Sequence, residues 1–270
     1  MTPHLDSRSI YLRSLIVRAM IAGDRGHLGS AASIVEILRV LFDDYLKFSS
    51  ADPNWGKRDR FILSKGHGCL ALYALLADKK FFPMSELDKF CSSTGILGGH
   101  PESNRIPGVE ASTGALGHGL PIGTGMAFAK KHQRTPGKIY VMMSDGECQE
   151  GTTWESLLIA AKHKLDNLVV IIDYNKIQAL SRLKDALPLK SLSKKFIAFN
   201  WDCLEVKDGH SFRSLIKSFK KKNKKGKPLA IIVNTIKGKG IKEFEDDPVW
   251  HARKLQGKEI EIGKNKLGIK

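Results

Sequence analysis

Apolar and polar positions along the chain follow two rhythms. Short, nearly continuous apolar runs at 138–143, 168–174, 202–206 and 229–234 read as strands buried on both faces, with a shorter candidate at 60–64. Between them a 3.6-residue period predicts helices over 9–22, 34–48, 69–77 and 153–164, and another ending near Lys220. Strands alternating with helices predict an α/β fold, a doubly wound, mainly parallel sheet with helices on both faces. Gly-rich joints interrupt the pattern at Gly26-His27-Leu28-Gly29-Ser30 and Lys65-Gly66-His67-Gly68, and 92–125 reads as one long irregular loop, the kind that more often carries function than idles. After Gly240 the periodicity fades. The chain is therefore divided into a domain over 1–240 and an extended tail over 241–270 that carries His251 and is expected to pack on the same domain or on a partner chain.

Composition narrows the class. With 42% hydrophobic and 27% charged residues in 270, the chain has the balance of a globular protein large enough for a substantial core. No apolar run approaches the roughly 18 residues of a membrane span. Arg8, Arg13, Arg18 and Asp24 interrupt the N-terminal apolar positions, so no secretory signal is read and a cytoplasmic location is expected. Cys69, Cys91, Cys148 and Cys203 contain no CxxC pair, which argues against a zinc knuckle or a disulfide framework. The net charge of +16 favours anionic partners. The lysine cluster at 220–227 has no interleaved aromatic residue to stack on bases, so it reads as a solvated helix end rather than a nucleic-acid surface.

In an open parallel sheet, ligands collect beyond the carboxyl ends of the strands. Asp145 follows one predicted strand and Asn175 follows the next. If those strands are neighbours, their tips lie about 5 Å apart, near enough for a carboxylate and an amide oxygen to share one hard cation. Magnesium suits them, and calcium or manganese would also fit; a backbone carbonyl from 175–177 and the phosphates of a ligand would complete the shell. Gly146 would let backbone amides approach such a phosphate. Thr152 and Glu155 fit a Thr-x-x-Glu capping box at the start of a helix, whereas Glu150 has no comparable local role. Lone histidines are more often structural than catalytic, and His4, His132, His163 and His210 are read that way.

Taken together, the segments Gly26-His27, Ser64-Lys65-Gly66-His67, Gly99-His100-Pro101-Glu102, Thr113-Gly114-Ala115-Leu116-Gly117, Ser144-Asp145-Gly146 with Asn175, and Trp250-His251 occur in the order found in transketolases. The chain resembles the thiamine diphosphate-binding N-terminal part of that family, and more closely the form encoded as a separate N-terminal subunit. Ser144 replaces the family's first glycine in the cofactor motif, Leu28 stands where many members have proline, and Arg25 where a small residue is common.

The resemblance implies that Asp145, Asn175 and the Ile177 carbonyl hold the metal, that Gly146 and His67 lie against the diphosphate, and that Gly114 and Leu116 contact the aminopyrimidine. His27, His100 and His251 would line the substrate channel, and His251 would also meet the cofactor. Glu150 and Glu155 would face an interface between chains. His118 sits in the cofactor loop with no family role to inherit.

The implied activity is transfer of a two-carbon ketol unit from a ketose or ketose phosphate to an aldose. The family places the glutamate that activates the aminopyrimidine in the following domain, so a separate C-terminal subunit is the expected partner, in a heterotetramer built on a homodimer of this chain, and the chain alone should be inactive. Two alternatives stay open: a deoxyxylulose phosphate synthase-like activity, disfavoured by 64–67 and 99–102, and a basic, non-catalytic regulatory subunit.

Overall fold

Five parallel strands form within a residue of their expected ends: β1 Arg60–Leu63, β2 Ile139–Ser144, β3 Leu168–Tyr174, β4 Asp202–Val206 and β5 Leu229–Asn234. The structure is a computed structural model that describes residues 5–179, 181–221 and 223–269; His4, Lys222 and Lys270 lie outside them. The strand order is β1-β2-β3-β5-β4, with every neighbour parallel.

Alternation across the pleat explains why the central strands are apolar throughout. Tyr140, Met142, Val169 and Ile171 face one core, while Ile139, Val141, Met143, Leu168, Val170 and Ile172 face the other. Helices α1 Ser7–Gly23, α2 Leu28–Ala32, α3 Val35–Val40 and α4 Cys69–Asp78 supply side chains to the first core. Helices α5 Gly119–His132, α6 Gly151–Lys162, α7 Leu183–Ala186 and α8 Leu192–Ala198 supply the second. Two further helices, α9 Phe212–Lys220 and α10 Lys258–Leu267, place Leu215 and Leu267 in the first core. The sheet is thus covered on both faces, as the sequence pattern predicts.

Four expectations about local structure are corrected. The loop read over 92–125 ends at His118, where α5 begins. Its sequence, rich in glycine and carrying Pro121, looks unhelical, yet a Cβ on Gly119 would come within 2.4 Å of Ser64 and one on Gly123 within 2.4 Å of Val141. Those glycines let the helix lie flat on the sheet, and Pro121 falls in the first turn, where a missing N–H costs nothing. Leu28 to Ser30, read as part of a loop, form the first turn of α2. The helix read over 34–48 is α3 followed by one wider π-turn at Leu41–Tyr45, and it stops there. Finally, 241–270 is not an extended tail: it contains α10, and Ile241, Phe244, Trp250 and Leu255 are buried in the first core.

One buried ionic cluster ties this frame together. Arg13 of α1 pairs with both carboxylate oxygens of Glu36 at 2.6 and 2.9 Å, and donates to the carbonyls of Ser9, Ala32 and Lys239. Glu36 also meets His210 Nδ1 at 2.8 Å, while His210 Nε2 accepts from the Ile236 amide. His210 is therefore structural.

Candidate functional site

The register sets Ser144 of β2 beside Asp173 of β3, so the two strands release Asp145 and Asn175 at adjoining tips. Asp145 is 2% exposed, and its carboxylate accepts hydrogen bonds from the amides of Gly146 at 2.8 Å and Lys176 at 2.7 Å. No cationic side chain among the described residues bonds to it. Burial, and then the charge of nearby Asp173, push its pKa up to about 7. A buried carboxylate this weakly compensated is suited to a cation from outside the chain.

Asp173 sets the orientation of Asn175. It is fully buried, and although burial would push its carboxyl up, the Lys65 ammonium and the Thr235 and Ser33 hydroxyls hold it down. Its Oδ2 also takes the Asn175 Nδ2 at 3.0 Å, which leaves the Asn175 oxygen as the free end, receiving only the Ile177 amide at 3.0 Å. Ile177 turns its carbonyl to Lys237 Nζ at 3.3 Å. Asp145, Asn175, Ile177, Gly146, His67, Leu116 and Glu150 all line one cavity of about 200 Å³.

Two observations show that this cavity fits a bound phosphate and metal. Gly146 has neither the positive φ nor the crowding that would demand glycine: a Cβ there would find nothing nearer than 3.7 Å. The missing side chain therefore keeps space open toward the cavity. On its wall, the buried Gln178 Nε2 has no hydrogen-bond partner among the described residues, a donor without an acceptor. Asp145, the Asn175 amide and a backbone carbonyl are hard oxygen donors, which suit magnesium, calcium or manganese. Among the described residues no three His, Cys, Asp or Glu side chains gather as a metal cluster.

Beside the cavity, four histidines from four distant segments converge. His27 precedes α2, His67 lies in the turn Gly66–Gly68 after β1, His100 lies in the long loop, and His251 follows the turn Pro248–Trp250. The His27 ring lies 5.6 Å from His67, 6.1 Å from His100 and 5.4 Å from His251, and His67 lies 5.3 Å from His251. A close backbone approach makes this possible: a Cβ on Gly29 would lie 2.9 Å from the Trp250 carbonyl and 3.0 Å from the Lys237 side chain.

Burial, then neighbouring cationic charge, pulls these imidazoles down. His27 falls to about 4 and His251 to about 3, and His67 falls well below its ordinary value. His100 is lowered by burial and by Arg25. All four are neutral at pH 7 and able to accept protons. Lys237, itself lowered to about 8 by burial and by Lys65, meets His251 Nδ1 at 3.0 Å; donating there, it leaves the ring proton on Nε2.

The remaining expected residues divide. Leu116 reaches the cavity, and Gly114, at φ +146°, lies against the His100 ring, so near that a Cβ would come within 3.0 Å of it. Glu150 stands at the cavity rim and is exposed, as is Glu155 on α6. The capping box is not formed: α6 starts at Gly151, Thr152 donates instead to the Gly117 carbonyl, and Thr153 donates to Glu147. His118 precedes α5 with its ring against the Leu116 carbonyl, pointing to a local structural role.

Sequence reasoning missed Lys237, Asp173, Gln178 and Glu147. Glu147 is fully buried and gathers Ser64, the Ser144 amide and the Gly117 amide, linking the tips of β1 and β2 to the 113–117 loop. The strand-tip rule that singled out Asp145 and Asn175 also leads to Lys237, three residues beyond β5. It was obscured by the surrounding lysine-rich text.

Comparison with known proteins gives a consistent result. Residues 6–270 match a family model described as the transketolase thiamine diphosphate-binding domain. The chain is 40% identical to one subunit of the apulose-4-phosphate transketolase of Actinobacillus succinogenes, over 94% of this chain and 92% of that one. It is 38% identical to the 6-deoxy-6-sulfo-D-fructose transketolase subunit SqwG of a Clostridium species, over 85% and 84%. Among solved structures, a transketolase from Leishmania mexicana superposes with a TM-score of 0.89 at 30% identity, covering 98% of this chain but 42% of that longer one.

Proposed function

Because the chain belongs to the transketolase family through its thiamine diphosphate-binding domain, we propose that it is the cofactor-holding half of a two-chain enzyme that moves a two-carbon ketol unit from a ketose to an aldose. The observation that carries this reading is the buried, uncompensated Asp145 beside the Asn175 oxygen on adjoining strand tips, facing a cavity lined by His67 and His251, with the His27 and His100 rings next to them.

In this reading Asp145, Asn175 and the Ile177 carbonyl hold a divalent cation, with magnesium the natural choice. Gly146 and His67 lie along the diphosphate, and Gly114 and Leu116 flank the aminopyrimidine. Thiamine diphosphate, when bound, supplies the electron sink that makes cleavage next to a ketose carbonyl feasible. His27, His100 and His251 bind sugar hydroxyls and move protons at the substrate oxygens. Burial holds His27 at about 4 and His251 at about 3 in the cofactor-free chain, and a bound diphosphate would raise both pKa values by adding negative charge nearby, bringing them closer to the working pH.

An interface completes the proposal. Ile122 and Phe128 of α5 and Leu158 and Ile159 of α6, two helices that pack against each other, are exposed, with Leu158 at 60%. Glu155 is exposed on the same α6, and Glu150 precedes that helix. This apolar surface supports a homodimer contact that Glu150 and Glu155 would border, with a C-terminal transketolase subunit docked to give a heterotetramer. Two of the relatives are named as subunits of their enzymes, which supports a separate partner.

The test is reconstitution: ketol transfer should require this chain, a C-terminal transketolase subunit, thiamine diphosphate and a divalent cation together. Full turnover by this chain alone, or by the complex without cofactor, would overturn the reading. Release of carbon dioxide from pyruvate by the complex would favour the synthase-like alternative.

A further inference from the structure

The segment that carries Gly114 and Leu116 is held at its two ends. Between them the amides of Gly114, Ala115 and Leu116 donate to none of the described residues. At one end Thr113 gives its amide to the Pro101 carbonyl at 3.1 Å and its hydroxyl to the Leu63 carbonyl at 2.7 Å. At the other, the Gly117 amide donates to Glu147 Oε1 at 3.1 Å, and the Gly117 carbonyl accepts the Thr152 hydroxyl at 2.9 Å. Gly117 turns at φ +78°, and a Cβ there would come within 2.6 Å of Glu150, so this end is both left-handed and tightly packed.

Glu147 stands two residues beyond Asp145 yet does not line the cavity. Its carboxylate is fully buried, and both oxygens are occupied: Oε1 takes the Ser64 hydroxyl and the Gly117 amide, and Oε2 takes the Ser144 amide at 2.8 Å. Its backbone carbonyl takes the Thr153 hydroxyl at 2.7 Å. One residue thus ties the loop to the tips of β1 and β2 and to the first turn of α6. Among the described residues no cationic side chain bonds to it, so its burial costs the fold free energy, and what the charge secures is a ligand-facing loop. An amide in its place would turn an NH₂ toward one of two backbone N–H groups. The Gly117 contact, the longer of the two and made by a loop rather than a strand, is the one that gives way.

We propose that Glu147 is a positioning residue that holds the 114–116 segment against the cofactor's aminopyrimidine, and so sets how strongly the site prefers thiamine diphosphate to a bare diphosphate. The diphosphate end has its own anchors in Asp145, Asn175 and Gly146, none of which bonds to Gly117. Releasing Gly117 therefore weakens contacts to the ring and spares those to the phosphates. The proposal rests on the transketolase-type reading for the place of the aminopyrimidine.

The experiment is calorimetry on the full-length chain, alone and with a C-terminal transketolase subunit, titrated in magnesium with thiamine diphosphate or with inorganic pyrophosphate. It compares wild type, Glu147→Gln and Ser64→Ala, and amide hydrogen exchange at Gly117 is followed by NMR in the cofactor-free chain. Wild type should prefer thiamine diphosphate by at least about tenfold. Glu147→Gln should weaken thiamine diphosphate by about tenfold and leave pyrophosphate unchanged. Ser64→Ala disturbs the same buried carboxylate without removing the Gly117 contact, so it should keep the wild-type preference. The Gly117 amide should exchange slowly in wild type and quickly in Glu147→Gln. In the reconstituted enzyme the half-saturating cofactor concentration should rise by the same factor, with kcat at saturation unchanged.

A Glu147→Gln protein with the wild-type preference, equal weakening of both ligands, or a loss of preference in Ser64→Ala as large as in Glu147→Gln would overturn the proposal. A Gly117 amide that exchanges in wild type as fast as an exposed one would overturn it without any substitution. A wild type that binds neither ligand, even with the partner present, would defeat the underlying reading; one that binds both equally would overturn the role of the loop alone.

Discussion

Two buried polar clusters in this molecule, some of whose members are equally inaccessible, are finished to different degrees. Around Arg13, Glu36 and His210 every carboxylate oxygen and guanidinium nitrogen has a partner, and the elements they join are α1, α3 and the segments that follow β4 and β5. Around Asp145, Asn175 and Lys237 the partners are backbone amides and carbonyls, with the Asp173 carboxylate and the His251 ring the side chains among them; one carboxylate is pushed toward neutrality, and the Gln178 amide nitrogen donates to none of the described residues. The first cluster is complete within the chain and serves the fold. The second becomes complete only when a cation and an anion enter, and its incompleteness is what marks it as a site.

This comparison breaks most sharply in a stability measurement. Glu36→Gln leaves Arg13 buried without its counter-charge and should destabilise the chain by about 3–5 kcal/mol in denaturant unfolding. Asp145→Asn removes a charge the fold does not use, so the cofactor-free chain should be as stable as wild type or more so, while magnesium-dependent thiamine diphosphate affinity, read by calorimetry, should fall about a hundredfold or more. A loss of stability on Asp145→Asn as large as that on Glu36→Gln would erase the distinction.

The same contrast explains how much was legible in the sequence. The central strands β2, β3 and β5 were readable because strands covered on both faces are apolar at nearly every position, and Asp145 and Asn175 because they interrupt that text where ligands gather. What could not be read depends on tertiary packing. Helix α5 forms from glycines that a local propensity rule rejects, since their contacts with Ser64 and Val141 are invisible in one dimension. Helix α10 has a weak pattern with Gly263 in its interior, and it is packing on α1 that favours it. The four histidines were found one motif at a time, yet their convergence, and the place of Lys237 among them, follows only from the fold.

Smaller effects sharpen the picture. Gly146→Ala adds a methyl group that the cofactor-free chain accommodates, so stability should stay within about 1 kcal/mol of wild type, whereas cofactor affinity should drop about tenfold because the methyl faces the phosphate space. A further prediction concerns pH. His27 titrates near 4 in the folded chain against an ordinary value of 6.5, so between those values the unfolded chain binds more protons. Stability of the cofactor-free chain should therefore be full above 6.5, decline as pH falls from 6.5 toward 4, and level off in this contribution below that. His27→Asn should flatten the decline. Bound thiamine diphosphate should move the His27 titration upward, and an unchanged titration would place the cofactor away from the cluster.

The central claim is that the adjoining tips of β2 and β3 hold a divalent cation bridging the protein to a diphosphate. Anomalous diffraction from crystals of the full chain grown with manganese and thiamine diphosphate tests it most directly. The account predicts one manganese peak at about 2.2 Å from oxygens of Asp145, Asn175 and Ile177, with phosphate oxygens completing the shell. Cofactor density with the metal elsewhere, or with Asp145 and Asn175 turned away from it, would contradict it.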